Sequence, residues 1–227
     1  MKAHVIPRTF YNLDYSQRVP LEIITNSDDG YNGKSFVGIY DSGIVTAEGE
    51  RVFNPWDTYA YEMLIRRRKA LTTRTSDGVV IALEAPKYDY AKLKLFFMSV
   101  LWRASVSTQP FFRRVSIGRY EAILREALLQ SNPGDKDFFS VVLACFLDMP
   151  TKTAMMDPFK EWYEQVVYYR FYLGAYIAYI KVDRQRTPSA FKDFAFELGR
   201  PLTIVGREFD RSKEKVVMRK LVEEHAS

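Results

Sequence analysis

The apolar positions of "YAKLKLFFMSVLWRASVS" fall at Leu93, Phe96, Phe97, Val100, Leu101 and Ala104. A stripe spaced by three and four residues predicts a helix with one face in a core. Trp102 and Arg103 fall off that stripe, which makes them either a second core face or a contact surface for a partner. A further helix is predicted over "YEAILREALLQ", ending at the turn "SNPG", and a terminal one over "SKEKVVMRKLVEEHA". The unbroken apolar run "FFSVVLACFL" predicts a buried strand, and "GVVIALEAP" a strand ended by Pro86. One or two more strands are expected in "VVYYRFYLGAYIAYIKVD", with Gly174 marking a bulge or turn.

The first 53 residues read differently. Turn signals ("NSDDGYNGKS", "YDSG", "AEGE") separate the short extended runs "HVIP", "SFVGIY" and "GIVT". A helix is then predicted through "NPWDTYAYEMLIRRRKAL". In that reading Asn54 is its cap, Pro55 its first residue, Asp57 lies near its positive end and the arginines near its negative end. The class expected is α+β, with a hairpin-plus-helix segment over residues 1–70 packed on a mixed helix and strand domain over residues 71–227.

Composition narrows the function. At 227 residues the chain can bury a sizeable core, and aromatics at 15% predict that Phe and Tyr fill much of it. The one cysteine, Cys145, lies inside an apolar run, cannot pair internally, and reads as a buried structural thiol. With no Cys-x-x-Cys pair and no signal peptide, a zinc-free cytoplasmic protein is expected. The most apolar stretch is interrupted by Arg170 and is too short to cross a bilayer, so no membrane partner is expected. The net charge of +5 permits contact with nucleic acid without requiring it.

Few groups offer chemistry. The two histidines are His4 and His225, the second within a charged tail. The chain has no Gly-x-Ser-x-Gly, no dinucleotide fingerprint and no Cys–His pair, and "SNPGD" lacks the lysine and glycine spacing of a phosphate loop. The stretches "AHVIPRTFY" and "GIYDSGIVTAEGERVFNPWDTYA", however, resemble those of bacterial HNH-like (ββα-metal, treble-clef) nuclease-related proteins. Members carry His-Ile-Ile-Pro-Arg, then Gly-x-Tyr-Asp, then Leu-Cys-x-x-Cys-Glu leading into a helix. The later "LKLFFMSVLWRASVSTQPFF" and "SIGRYEAILREALL" look like the helical portion that follows.

That resemblance implies that His4 is the general base that activates a water, with a divalent cation such as Mg²⁺ at the scissile phosphate. It implies that Pro7 stiffens the segment and that Arg8 meets a phosphate. Asp57 is the nearest match to the late metal-binding position. The departures are equally specific. The second zinc pair falls on Thr46 and Gly49, and the first would precede Met1, as though the module had lost its front edge. Ala3 stands where an acid often helps hold the metal. Asp41 is expected to hydrogen-bond its own turn.

Each feature also has a plain structural reading. His4 would hold a hairpin. The run Arg66, Arg67, Arg68 and Lys69 would be a solvated helix end instead of a grip on a phosphate backbone. Arg113, Arg114 and Arg119 adjoin aromatics, but Phe111 and Phe112 are expected in the core. Two functions therefore stand side by side. One is an HNH-derived protein associated with DNA or RNA, as in bacterial or phage conflict systems, cleaving it with Mg²⁺ if active. The other is a non-catalytic pseudo-nuclease that binds nucleic acid or a protein partner. No structurally bound cofactor is expected in either.

Overall fold

A computed structural model describes residues 3–11, 20–25, 33–35, 38–148 and 154–216 of the chain. Twelve strands and three α-helices are found among them, an α+β arrangement as expected. The strands are β1 (Ala3–His4), β2 (Leu21–Ile24), β3 (Gly33–Ser35), β4 (Tyr40–Asp41), β5 (Thr72–Ser76), β6 (Val79–Ala85), β7 (Val141–Phe146), β8 (Ala154–Met156), β9 (Phe159–Tyr163), β10 (Val166–Leu173), β11 (Tyr176–Lys181) and β12 (Leu202–Arg207). The helices are α1 (Ala47–Tyr61), α2 (Tyr90–Val106) and α3 (Tyr120–Leu129).

Seven strands form the main sheet in the order β5-β6-β12-β7-β11-β10-β9, antiparallel at each step except the parallel β12–β7 pair. Its centre follows from composition. All six residues of β7 and all six of β11 are buried, so these apolar runs sit where both faces are covered. The polar sequence TTRTS of β5 is exposed along its whole length and forms one edge, where unpaired backbone groups are safest beside polar side chains. Small sheets flank the main one: β3-β2-β8, and the two-residue pair β1-β4.

Alternation across the sheet divides the core in two. Val141, Leu143 and Cys145 face α1, α2 and α3 in one cluster, which takes side chains from both residues 1–70 and residues 71–227. Val142, Ala144, Phe146, Tyr168, Tyr172 and Tyr179 face the opposite layer with Phe191 and Phe209. The predicted stripe of α2 is fully buried, but Lys94, Leu95, Met98, Ser99 and Arg103 are buried as well. The helix is therefore central, and its off-stripe residues form a second core face.

Two expectations need correction. The first helix does not begin at Asn54. It begins at Ala47, capped by the Thr46 hydroxyl, which accepts from the Gly49 amide, with Glu48 and Glu50 in the first turn. Pro55 thus lies inside the helix, and "GIVT" is a bend leading to the cap instead of an extended run. Strands β2, β5, β8, β9 and β12 are additions to the sequence reading, and β3 forms at the end of a stretch read as turn signals. The terminal helix is seen only at residues 213–216; the rest of it, His225 and the turn signals of residues 26–32 lie outside the described residues.

The N-terminal segment is seated on the main sheet. Gly174 turns β10 into β11 with φ of +61°, and a Cβ there would lie 2.5 Å from the Phe10 carbonyl oxygen, so only glycine allows this approach. Val5, Ile6 and Phe10 are buried, Ile39 and Val45 pack half-buried against them, and the Phe10 ring stacks on Phe96 at 5.1 Å. Phe10→Ala is expected to cost about 3–5 kcal/mol, measured by urea titration.

A second prediction comes from Lys94. Its Nζ donates to the Tyr90 hydroxyl at 2.9 Å and to the Asp135 carbonyl. Burial pulls its pKa down to about 7, with Lys181 adding to the effect and Asp135 and Asp137 opposing it. An unfolded lysine keeps its proton to about pH 10, so above neutrality the unfolded state binds more protons than the folded one. Stability should therefore rise from about pH 7 toward pH 10. Lys94→Met should flatten that rise in urea midpoints measured against pH.

Candidate functional site

The residues singled out near the N-terminus meet around one side chain that the sequence reading left open. Strand β1 pairs with β4, setting His4 opposite Tyr40 and Ala3 opposite Asp41. Pro7 then starts a single 3-10 turn, closed by the Phe10 amide on the Pro7 carbonyl at 3.0 Å. This turn drives Phe10 inward and leaves Arg8 exposed. The half-buried His4 ring lies edge-on to Tyr40, 6.2 Å between centroids. Asp57 projects from α1 toward α2, where Arg103 waits with only 3% of its side chain exposed.

Arg103 uses each of its five N–H groups. Nη1 donates to Asp57 Oδ2 (3.1 Å) and to the His4 carbonyl (3.0 Å). Nη2 donates to Asp57 Oδ1 (2.9 Å) and to Ser99 Oγ (2.9 Å), and Nε to the Ser99 carbonyl (3.3 Å). The guanidinium also lies over the Phe53 ring at 5.1 Å. A planar fork suits this arrangement, since it grips a carboxylate with two parallel bonds and has donors left for two other elements. One residue of α2 thereby fastens both β1 and α1.

A second tie lies beside it. Asp41 Oδ1 accepts from the Gly43 amide, as the turn reading expects. Its Oδ2 accepts from the Thr108 amide (2.7 Å), the Thr108 hydroxyl (2.9 Å) and the Ser107 hydroxyl (3.1 Å), which joins β4 to the segment after α2. Burial works to raise the Asp41 carboxyl. The Gly43 and Thr108 amides and the two hydroxyls outweigh it and hold the group below its usual range.

The positions that the resemblance assigns to zinc are occupied by a different clip. Thr46 Oγ1 and the Gly49 amide are joined by a 3.2 Å hydrogen bond, the helix cap described above. For Mg²⁺ the residues offer His4 and Asp57, but both carboxylate oxygens of Asp57 are held by Arg103. No group of three or more His, Cys, Asp or Glu side chains that could hold a metal occurs among the described residues. As arranged, this donor set does not fit a hydrated Mg²⁺ ion, which needs free carboxylate oxygens.

The basic run divides. After α1 the chain makes one π-turn, with the Arg67 amide bonded to the Glu62 carbonyl at 2.9 Å. Arg66 and Arg67 point outward, Arg66 bonded to Glu62 at 2.8 Å, and Lys69 is exposed. Arg68 turns inward, donating to the Phe146 carbonyl and lying over the Tyr176 ring at 5.3 Å, so it is part of the fold. Arg67 borders a cleft of about 490 Å³ with Tyr59, Met63, Lys87 and Lys92 along it. Phe111 and Phe112 are buried in the core, while Arg113, Arg114 and Arg119 are exposed. Cys145 is buried, and burial pushes its thiol up to about 11 against the pull of Arg68, as befits a structural cysteine.

No helix among the described residues is long and apolar enough to cross a membrane. Comparison with protein-family models, with curated proteins and with solved structures finds no match for this chain.

The Arg103 arrangement gives a double-mutant test. Asp57→Ala leaves a buried guanidinium without its counter-charge and should cost about 3–5 kcal/mol. Adding Arg103→Met should restore part of that loss, because an apolar replacement removes the stranded charge. Denaturant titration of the two variants and the parent measures the recovery.

Proposed function

We propose that this chain is a nucleic-acid-associated protein of HNH-nuclease descent in which the catalytic site has become a structural joint. The carrying observation is the bidentate hold of Arg103 on Asp57, with the His4 carbonyl as the guanidinium's third anchor. A cation already stands at the carboxylate that the resemblance assigns to the metal. Ala3, in place of an acid, points the same way. Contact with DNA or RNA is proposed to run over the outward cations Arg66, Arg67 and Lys69, with Arg8 and the Lys87 and Lys92 side of the neighbouring cleft. The observation on the side of a protein partner is Trp162, 61% exposed on the edge strand β9 next to Lys160.

The test uses purified protein with labelled DNA and RNA, with and without Mg²⁺ or Mn²⁺. Binding is expected to weaken steeply with salt through counterion release, and to fall for Arg66→Glu/Arg67→Glu across sequences. No cleavage above background is expected, and His4→Ala should leave binding unchanged. Robust cleavage by the parent that drops roughly 10²–10⁴-fold in His4→Ala would establish an enzyme instead. An absence of binding to either nucleic acid at low salt would favour the protein-partner reading.

A further inference from the structure

On the opposite face of the sheet, four donors converge on one carboxylate. Glu214, among the helical residues 213–216, has a side chain only 1% exposed. Its Oε1 accepts from the Tyr172 hydroxyl (3.0 Å) and Arg207 Nη1 (3.2 Å) and lies 3.3 Å from Arg170 Nη1. Its Oε2 accepts from Arg207 Nη2 at 3.2 Å. Burial works to raise the Glu214 carboxyl, but its own amide, the two arginines and Tyr172 hold it below the usual range.

The two guanidiniums are held by groups other than Glu214. Arg170 bonds Glu161 at 3.1 Å and lies by the Phe159 and Tyr172 rings, each at 5.4 Å. Arg207 lies over Phe146 at 5.4 Å and donates to the Tyr179 hydroxyl at 3.2 Å. Removing the Glu214 carboxylate would leave a pre-formed cradle of two cations against the single charge of Glu161. The cradle also holds more donors than a carboxylate uses well. Three of the four contacts crowd onto Oε1, and Arg170 Nε is buried without a hydrogen bond in good geometry. The side chain of Arg207 is 29% exposed, so the cradle adjoins the surface.

We infer that Arg170, Arg207, Tyr172 and Tyr179 form a binding site for a phosphate dianion, which the chain's own Glu214 fills in its absence. A phosphate brings three oxygens and two charges to donors that a carboxylate meets with two oxygens and one. Glu214 is the displaceable partner: the ties of its turn, the Lys215 amide on Ser212 Oγ and the Lys215–Asp210 ion pair, both lie within residues 210–215. The ligand is a phosphate carried either on a small molecule or on the end of a nucleic-acid strand.

The experiment titrates inorganic phosphate, a 5′-phosphorylated oligonucleotide and its unphosphorylated twin into the protein, read by calorimetry. Glu214→Ala is expected to bind phosphate at least about tenfold more tightly than the parent, since the internal competitor is gone. Adding Arg207→Ala should abolish the gain. Preference for the phosphorylated strand over its twin, rising in Glu214→Ala, identifies a strand end. Equal response of the two strands with tight inorganic phosphate identifies a small molecule. If Glu214→Ala fails to fold, Glu214→Gln and amide exchange serve instead: phosphate should speed exchange at Lys213, Lys215 and Val216 in the parent. Phosphate that binds no tighter to the Glu214 variants, and leaves exchange in that turn unmoved, would overturn the proposal.

Discussion

A buried guanidinium has to be satisfied at all five of its N–H groups or it destabilises the structure around it. Arg103 meets that demand by drawing on β1, α1 and its own helix at once, which fixes how the N-terminal segment sits. Two-residue strands such as β1 and β4 contribute too little pairing to hold their own position. Their place is set by Arg103 from one side, Asp41 from the other, and the Phe10 ring beneath. The joint tolerates little change, because each acceptor comes from a different element.

The same logic recurs in the rest of the molecule. Lys94 and Lys181 are wholly buried, and Glu214 nearly so; Lys94 bonds Tyr90 of its own helix and a loop carbonyl, Lys181 finds a loop carboxylate, and Glu214 finds arginines on two strands. These polar groups sit at the rims of two aromatic cores, where backbone carbonyls and hydroxyls are in reach. Buried charge of this kind contributes modestly to net stability, but it penalises any arrangement that leaves a partner behind.

Much of the scaffold was legible in the chain. The α2 stripe, the apolar β7 run and the turn at Gly174 follow from local pattern, and the structure agrees. The start of α1 was misread because Asn54-Pro55 is a strong local signal for a helix beginning, while Thr46 with Glu48 and Glu50 is a quieter one. Pro55 lies exposed inside the helix, between the buried Phe53 and Trp56. Strands β5, β9 and β12 are short or polar and lack strict alternation, so only pairing defines them. At the site, His4 and Asp57 were marked only by the resemblance, and the group between them was not marked at all. Arg103 lies about forty-six residues beyond Asp57 in sequence, and nothing local announces which carboxylate a buried arginine will choose. An arginine within the apolar run of β10 was the comparable clue to the Glu214 cluster, since a charge in such a strand requires a partner.

The position of β12 bears on how the protein is made. Strands β5 and β6 form one hairpin, and β7, β11, β10 and β9 form another continuous block; β12 alone joins them, antiparallel to β6 and parallel to β7. A chain emerging from the ribosome therefore carries two unfinished sheets until residues 202–207 arrive. The apolar strand β7 meanwhile presents an open edge, the kind of edge on which unfinished chains associate. Completion of the main sheet has to wait for one late strand, and until it arrives the edge of β7 is where the unfinished chain is most open to association.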